Sequence, residues 1–301
     1  MDLVRCGTAT ELLDAAGGFL VEREAEHNLP LGILATLRDE PDIYPAPPYL
    51  ATVMDAGQVA LVAVRTPPHG LVLSEPGVAV ERLGEAAAIL VADLAAVAPD
   101  LPSVLGPAAS VGPFAGRWAL ATGHRAALQV AERIYRLSRV VPAPGVPGTW
   151  RLAGEGDHGR LLEWARAFQD EALPVSPIVG LEAMVERWAR RQGRLAYLWE
   201  VEDRAVSLVV AGARTPNGRR IGPVYTPPEA RGHGYGTALT AAASQDQLDR
   251  GHAFCFLFAD LANPTSNAIY RRIGYEPVTD VDQVRFVDRG DGGPPGAVSP
   301  P

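Results

Sequence analysis

The 301-residue sequence predicts a mixed α/β protein built from two tandem, similarly ordered halves. Three observations predict it. Helical and strand periodicities alternate along the chain, with short helices between strands rather than long βαβ crossovers. The segment Pro142-Ala143-Pro144-Gly145-Val146-Pro147-Gly148 reads as an extended linker close to the midpoint. A shift of about 149 residues brings scattered features of the two halves into register.

At that shift Leu12, Leu13 and Phe19 fall on Leu161, Leu162 and Phe168. Arg65-Thr66-Pro67 falls on Arg214-Thr215-Pro216, and Arg136-Leu137 on Arg285-Phe286. Each half then reads as an amphipathic helical stretch, strands, a strand ending in a turn, and a helix. Another strand follows, then a short helix stopped by Gly123 or Gly274, and a final strand. The predicted segments are 1–140, a Pro/Gly linker over 141–148, 149–287, and a tail over 288–301. The tail is rich in Gly and Pro and is expected to be disordered.

The second half can be justified element by element. Leu161, Ala165 and Phe168 share a helical face at i, i+4, i+7, and Leu181, Met184, Val185 and Trp188 share another. Leu195, Tyr197 and Trp199 alternate as a strand, as do Val206, Leu208 and Val210. Arg214 to Arg220 reads as a turn around Thr215-Pro216-Asn217-Gly218, and Ile221 to Thr226 as the next strand. Pro227-Pro228 ends it, because proline cannot donate to a ladder.

Composition removes several chemistries. All 27 cationic side chains are arginine, and the balance is 27 − 35 = −8. Without lysine there is no Schiff-base lysine, no phosphate-loop lysine and no Ser-Lys pair. A net negative chain with no basic cluster argues against nucleic-acid or anionic-membrane partners. Two cysteines, Cys6 and Cys255, make neither a disulfide framework nor a Cys-based zinc site, and no metal is expected. Cys255 lies in the run Ala253-Phe254-Cys255-Phe256-Leu257-Phe258 and reads as a buried thiol. The first residues lack an apolar signal core, and the most apolar helical stretch, Ala86 to Ala98, is too short to span a bilayer. The expectation is a soluble cytoplasmic protein.

Two segments carry chemistry. The first is Arg231-Gly232-His233-Gly234-Tyr235-Gly236-Thr237, between a strand and a helical stretch with Tyr235, Leu239 and Ala242 on one face. A helix start leaves main-chain N–H groups unpaired at the positive end of the macrodipole, and glycines let a phosphate approach closely. The spacing G-x-G-x-G is not G-x-G-x-x-G, and no acidic residue follows about 20 positions later, which argues against a dinucleotide fold. The second segment follows the strand Phe254–Phe258. Asn263-Pro264 starts a helix and Gly274 stops it; Ile269 and Ile273 face inward, while Asn267 and Tyr270 share another face.

Together the two segments resemble the GCN5-related N-acetyltransferase (GNAT) superfamily over about residues 149 to 287. Arg231, Gly234 and Gly236 match its [QR]-x-x-G-x-[GA] motif. Asn263, Ser266 or Asn267, Tyr270, Gly274 and Tyr275 match N-x-x-[SN]-x-x-x-Y-x-x-x-G-[FY]. The resemblance implies two GNAT-like domains, each a mostly antiparallel sheet flanked by helices, with splayed central strands in the second. It implies acetyl-CoA as co-substrate, with main-chain groups of Val224, Tyr225 and Thr226 on the pantetheine arm. It places the pyrophosphate on Arg231, Gly232, His233, Gly234, Tyr235, Gly236 and Thr237, and gives Asn263 and Asn267 cofactor contacts. Tyr270 would sit near the sulfur as general acid.

The implied activity is N-acetyl transfer to a primary amine of a small molecule or peptide. The alternatives are a non-catalytic acyl-CoA sensor and acyl transfer to a hydroxyl or thiol. The residues do not name the base; Asp170, Glu171, Glu200 and Glu202 lie on the acceptor side. At the same shift Arg231 to Gly236 falls on Arg82-Leu83-Gly84-Glu85-Ala86-Ala87, where the glycine pattern is gone and Glu85 would repel phosphate. Trp118 to Ala121, opposite Tyr270, offers no tyrosine. The first half is therefore expected to be a degenerate copy acting as a built-in dimer partner, in a monomer with pseudo-dimeric halves or in a homodimer.

Overall fold

The computed structural model describes residues 1–172 and 180–288. In chain order the strands and helices are β1 (Asp2–Cys6), α1 (Ala9–Glu22), α2 (Asn28–Asp39), β2 (Tyr49–Asp55), β3 (Gln58–Arg65), β4 (Leu71–Leu73), α3 (Val80–Val97), β5 (Ser103–Pro107), α4 (Ala108–Thr122) and β6 (Arg125–Leu137). The second series is β7 (Thr149–Leu152), α5 (His158–Ala172), α6 (Leu181–Ala189), β8 (Leu195–Val201), β9 (Arg204–Arg214), β10 (Gly218–Tyr225), α7 (Tyr235–Asp249), β11 (Phe254–Asp260), α8 (Pro264–Arg272) and β12 (Glu276–Val287). The same order of elements occurs twice, as the mixed α/β reading requires. The tail expected to be disordered lies, from residue 289 on, outside the described residues.

The chain divides into two compact units that are not the linear segments 1–140 and 149–287. One comprises Met1–Glu22, Ile33–Ala131 and Val281–Pro301; the other comprises Arg23–Gly32 and Glu132–Asp280. The ends of the halves are exchanged. In the first unit β1, β2, β3 and β4 are joined antiparallel, β4 runs parallel to β5, and Val281–Arg285 of β12 adds antiparallel to β5. In the second unit Glu132–Leu137 of β6 pairs antiparallel with β11, β11 runs parallel to β10, and β9, β8 and β7 follow antiparallel. Each unit is thus finished by a strand that a linear reading assigns to the other half.

The first unit closes on one apolar cluster. Leu83, Leu90 and Leu94 of α3 meet Val111, Phe114 and Trp118 of α4, with Val284 and Phe286 of β12 among them. The second unit covers both faces of its sheet. On one, α7 and α8 pack over Tyr197, Val209, Ile221, Cys255 and Leu257. On the other, α5 and α6 pack over Leu198, Leu208 and Val210. Burial pushes the Cys255 thiol up to about 12, so it is the inert core thiol expected.

Three local readings are corrected. The turn before β10 is shorter than residues 214–220, because the Thr215 N–H donates to the Gly218 carbonyl at 3.0 Å and closes it at once. Arg219 and Arg220 are consequently strand residues. The linker has no regular structure, but it is held by the second unit: Val141 N–H bonds Ile273 O at 2.9 Å, and Trp199 Nε1 donates to Pro147 O at 2.9 Å. The offset between halves also drifts. Residues 82–87, expected to match the glycine loop, lie inside α3, and the loop that precedes α3 is residues 74–79. There Ser74 N–H bonds Val62 O and Gly77 N–H bonds Ala60 O, so loop amides are spent on β3.

The short segment 23–32 is fastened to the second unit by one buried carboxylate. Glu24 accepts from the Thr215 hydroxyl, from Asn217 N–H at 2.7 Å, from Asn217 Nδ2 at 2.8 Å and from Gly218 N–H at 3.0 Å. Replacing it leaves several buried donors at the β9–β10 turn without an acceptor. Glu24→Ala is therefore expected to lower unfolding free energy by about 2–4 kcal/mol in denaturant titration; a loss near zero would show that the turn closes unaided. Chains 1–148 and 149–301, co-expressed, are expected to copurify, whereas each alone lacks its sixth strand and should be aggregated or poorly folded.

Candidate active site

Strand β10 is paired with β11 only at its start, through Gly218↔Phe254, Arg219↔Cys255 and Arg220↔Phe256. Beyond Arg220 the ladder ends. On the other side β9 keeps hold of the strand through Val224↔Val209 and Tyr225↔Leu208, with register shifts around residues 221–224. Pro223, which has no N–H to donate, lies in that irregular stretch. The result is a gap between β10 and β11 along Val224, Tyr225 and Thr226, where the Tyr225 carbonyl accepts from Ser207 Oγ at 3.1 Å.

The glycine loop stands at the end of the gap. Gly232 has φ +81° and Gly234, the residue before α7, has φ +82°, both in the left-handed region that glycine tolerates. Gly236 allows close approach, since a Cβ there would meet Thr226 Oγ1 at 3.0 Å. The Arg231 N–H bonds Pro228 O at 3.2 Å, and the first intrahelical bond runs from Ala238 N–H to Gly234 O at 3.0 Å. Between them, the six N–H groups of residues 232–237 have no acceptor among the described residues. His233 stacks on Tyr235 with ring centroids 5.3 Å apart.

Arg231 does not point its charge into this nest. Its Nε donates to Thr226 O at 2.9 Å, and its Nη2 pairs with Glu171 at 2.6 Å. Glu171 also accepts from the Tyr225 hydroxyl at 3.3 Å. Burial and the Glu171 charge raise the Tyr225 phenol above its ordinary value. Of the acceptor-side carboxylates considered from sequence, Glu171 is thus drawn to the loop, whereas Glu200 is paired with Arg151 at 2.8 Å.

The helix α8 is set by the residues that its sequence singles out. Asn263 Oδ1 accepts from Ser266 N–H at 3.0 Å, the N-cap bond, and Pro264 takes the first turn. Asn267 is fully employed: Oδ1 accepts from Tyr135 OH at 2.8 Å, and Nδ2 donates to Asp260 O and Asn263 O, each at 2.7 Å. Asn267 therefore locks α8 to β11 and β6, and Asn263 caps it.

Those bonds hold Tyr270 in an aromatic cluster. Its ring lies 6.3 Å from Tyr135 and 6.1 Å from Tyr275. Tyr275 OH bonds Ser244 Oγ at 2.8 Å, and Tyr135 OH is bound to Asn267. The Tyr270 hydroxyl has no hydrogen-bond partner among the described residues, and burial pushes its phenol up to about 12. Sequence reasoning missed the Glu171–Arg231 link and the Tyr135 anchor, because both join residues far apart in the chain. It also missed that the linker lines the loop: a Cβ on Gly234 would meet Val146 Cγ2 at 3.2 Å.

The residues fit a pyrophosphate-bearing thioester by what they leave open: unpaired amides at a helix start, a glycine where a side chain would crowd Thr226, and a strand edge without a partner. Among the described residues no group of three or more His, Cys, Asp or Glu could hold a metal ion, and no helix is long and apolar enough to cross a membrane.

Comparison with known proteins adds the following. The family model described as FR47-like protein matches residues 201–285, the part of the chain holding β10, the loop, α7, β11 and α8. No curated protein matches the chain. Among solved structures the chain is similar to a tandem GNAT protein from the clavulanic acid biosynthesis pathway, with 17% identity, TM-score 0.55, and 97% of this chain and 99% of that one covered. It is similar to a GCN5-related N-acetyltransferase from Sphaerobacter thermophilus, with 19% identity, TM-score 0.58, and 94% and 95% covered. It is similar to a GNAT-family acetyltransferase from Colwellia psychrerythraea, with 10% identity, TM-score 0.59, and 95% and 100% covered. The chain thus shares its fold with these proteins, a tandem GNAT protein among them, and residues 201–285 match the FR47-like model.

Proposed function

We propose that the second unit transfers the acetyl group of acetyl-CoA to a primary amine of a small molecule or peptide. The observation that carries this reading is the run of free N–H groups over residues 232–237, opening α7 beside the gap between β10 and β11. A pyrophosphate is the natural complement to such a nest at a helix N-terminus. The edge at Val224, Tyr225 and Thr226 offers main-chain groups to the amides of the pantetheine arm. Bound there, the co-substrate supplies an activated acyl group and a thiolate leaving group.

The remaining steps belong to the chain. An alkylammonium with an ordinary value of about 10.4 costs roughly 4.6 kcal/mol to deprotonate at pH 7, so the acceptor must lose its proton before it attacks. Tyr270 lies in the cluster under α7 and α8, on one face of the sheet that holds β10 and β11. Its phenol lies above the ordinary thiol value of about 8.5, so outright proton transfer to a thiolate is uphill. Its contribution is then a hydrogen bond to charge that develops on the leaving sulfur, strongest where water is excluded. The loop before α3 in the first unit has no comparable set of free amides at Ser74 and Gly77, which supports one acetyl-CoA site per chain.

Gly234→Glu forces a side chain into a left-handed position and sets a carboxylate against the nest. It is expected to weaken acetyl-CoA binding about 100-fold or more in calorimetric titration while costing about 1–3 kcal/mol of stability; unchanged affinity would remove the loop from the site. Tyr270→Phe should lower kcat about 100-fold with acetyl-CoA affinity nearly unchanged. In the wild type, kcat/KM should rise with pH as the acceptor ammonium deprotonates. It should show no fall assignable to Tyr270 below pH 10, because its phenol stays protonated until about 12. If acetyl-CoA binds but no amine in a broad panel releases CoA, the second unit is a binding module instead.

A further inference from the structure

The loop over residues 232–237 bonds none of its six N–H groups to the described residues, so main-chain hydrogen bonds do not set its shape. Gly232 and Gly234, at φ +81° and +82°, are also free of the restriction that a Cβ imposes. A nest for an anion needs its amides aimed before the anion arrives, since ordering a loop on binding weakens affinity. The loop is therefore fixed by what it packs against, and two supports are in place. Gly236 rests on Thr226, whose hydroxyl would lie 3.0 Å from a Cβ there and is 2.9 Å from Ser207 Oγ of β9. Gly234 rests on Val146, whose Cγ2 lies 3.2 Å from where a Cβ on that glycine would stand.

Val146 belongs to no helix or strand, yet its place is set. Val141 N–H bonds Ile273 O just past α8, and Trp199 Nε1 on β8 donates to Pro147 O, each at 2.9 Å, so the segment 141–147 is pinned at both ends. Between the pins Pro144 is followed by Gly145 at φ +81°, the pattern of a type II turn. Its tip, Pro144 and Gly145, is exposed. The residues at its base, Ala143 and Val146, are partly buried against the cluster that holds Tyr270 and Leu239. Gly148 fixes the exit, because a Cβ there would collide with Glu200 O. Prolines at 142, 144 and 147 leave the segment few other conformations.

We propose that the segment 141–147 is a working part of the acetyl-CoA site, and that Val146 is a positioning residue. It holds Gly234 so that the amides following it face the pyrophosphate. The inference rests on the acetyl-CoA reading of the loop. An apolar side chain suits the task. It takes no hydrogen bond from the loop amides and carries no charge to repel phosphate, so it braces the nest without filling it. An aspartate at the same point would do the opposite, offering the amides a carboxylate of the chain's own.

The test compares two equal truncations on the full chain. Val140 and Val146 are both partly buried against the same cluster, and Val146 is the one placed against a loop glycine. In calorimetric titration Val146→Ala is expected to weaken acetyl-CoA binding about five- to tenfold, Val146→Asp about 30-fold or more, and Val140→Ala less than about twofold. Val146→Ile should keep wild-type affinity. With an amine that is turned over, KM for acetyl-CoA should rise in Val146→Ala by the same factor, while kcat and the amine KM stay within about twofold. A merely structural Val146 would lower the unfolding midpoint in both alanine variants and leave affinity alone. Gly234→Ala closes a cycle: it should cost less affinity in the Val146→Ala background than in the wild type, because the methyl group it meets is gone. Equal affinities for Val146→Ala and Val140→Ala, or additive effects in the cycle, overturn the proposal. A wild type that binds no acetyl-CoA removes the reading of the loop and the proposal with it, a failure seen before any variant is compared.

Discussion

After Arg220, β10 stops hydrogen-bonding to β11, and only β9 carries it onward to Tyr225. The rest of the second unit can be read as a response to this broken ladder. A sheet interior normally leaves no free main-chain groups, because an unpaired buried amide or carbonyl costs about as much as a lost hydrogen bond. Here such groups are exposed along a gap that the loop closes at one end and Arg220 closes at the other. The helix α8 is fixed beside β11 by Asn267, whose side chain bonds β6, β11 and its own N-cap residue at once. That asparagine is committed to position, and the Tyr270 hydroxyl beside it has no partner among the described residues.

The chain does its electrostatic work without lysine, and the division of labour is legible in the contacts. The loop over residues 232–237 presents uncharged amides, which cost nothing to desolvate as ions. Arg231, the charged residue of the loop motif, is balanced by Glu171 and braces the turn through Thr226 O. Most other ion pairs are exposed on at least one side and contribute little each. Arg219 is withdrawn from water: its Nη2 donates to the carbonyls of Gly193 and Ala211, while its buried Nε has no partner among the described residues.

What could be read from sequence was what depends on neighbours in the chain. The Asn263-Pro264 start of α8 is visible because a cap and its helix are adjacent, and the loop glycines because positive φ leaves few other choices. The double order of elements was visible from periodicity. The placement of Arg219 and Arg220 was misread because a four-residue turn can close earlier than its composition suggests. A constant offset misaligned the first unit's loop, since insertions accumulate between repeats while a shift does not. The exchange of β6 and β12 was out of reach: a strand's pattern tells which face is buried, but not which edge it joins. Glu24 reads as an exposed helix-end charge until the β9–β10 turn is set beside it.

The exchange of final strands has a consequence for how such a chain is made. The first unit's sixth strand, Val281–Arg285, follows the whole second unit in chain order. During synthesis from the N-terminus, β5 therefore waits with a bare edge while every element of the second unit emerges. The first unit cannot mature ahead of the second, and an interrupted chain leaves it open. Ordinary tandem proteins fold one module at a time as they are translated; this arrangement makes completion of the first conditional on completion of the second, so a truncated product is marked by an unfinished sheet.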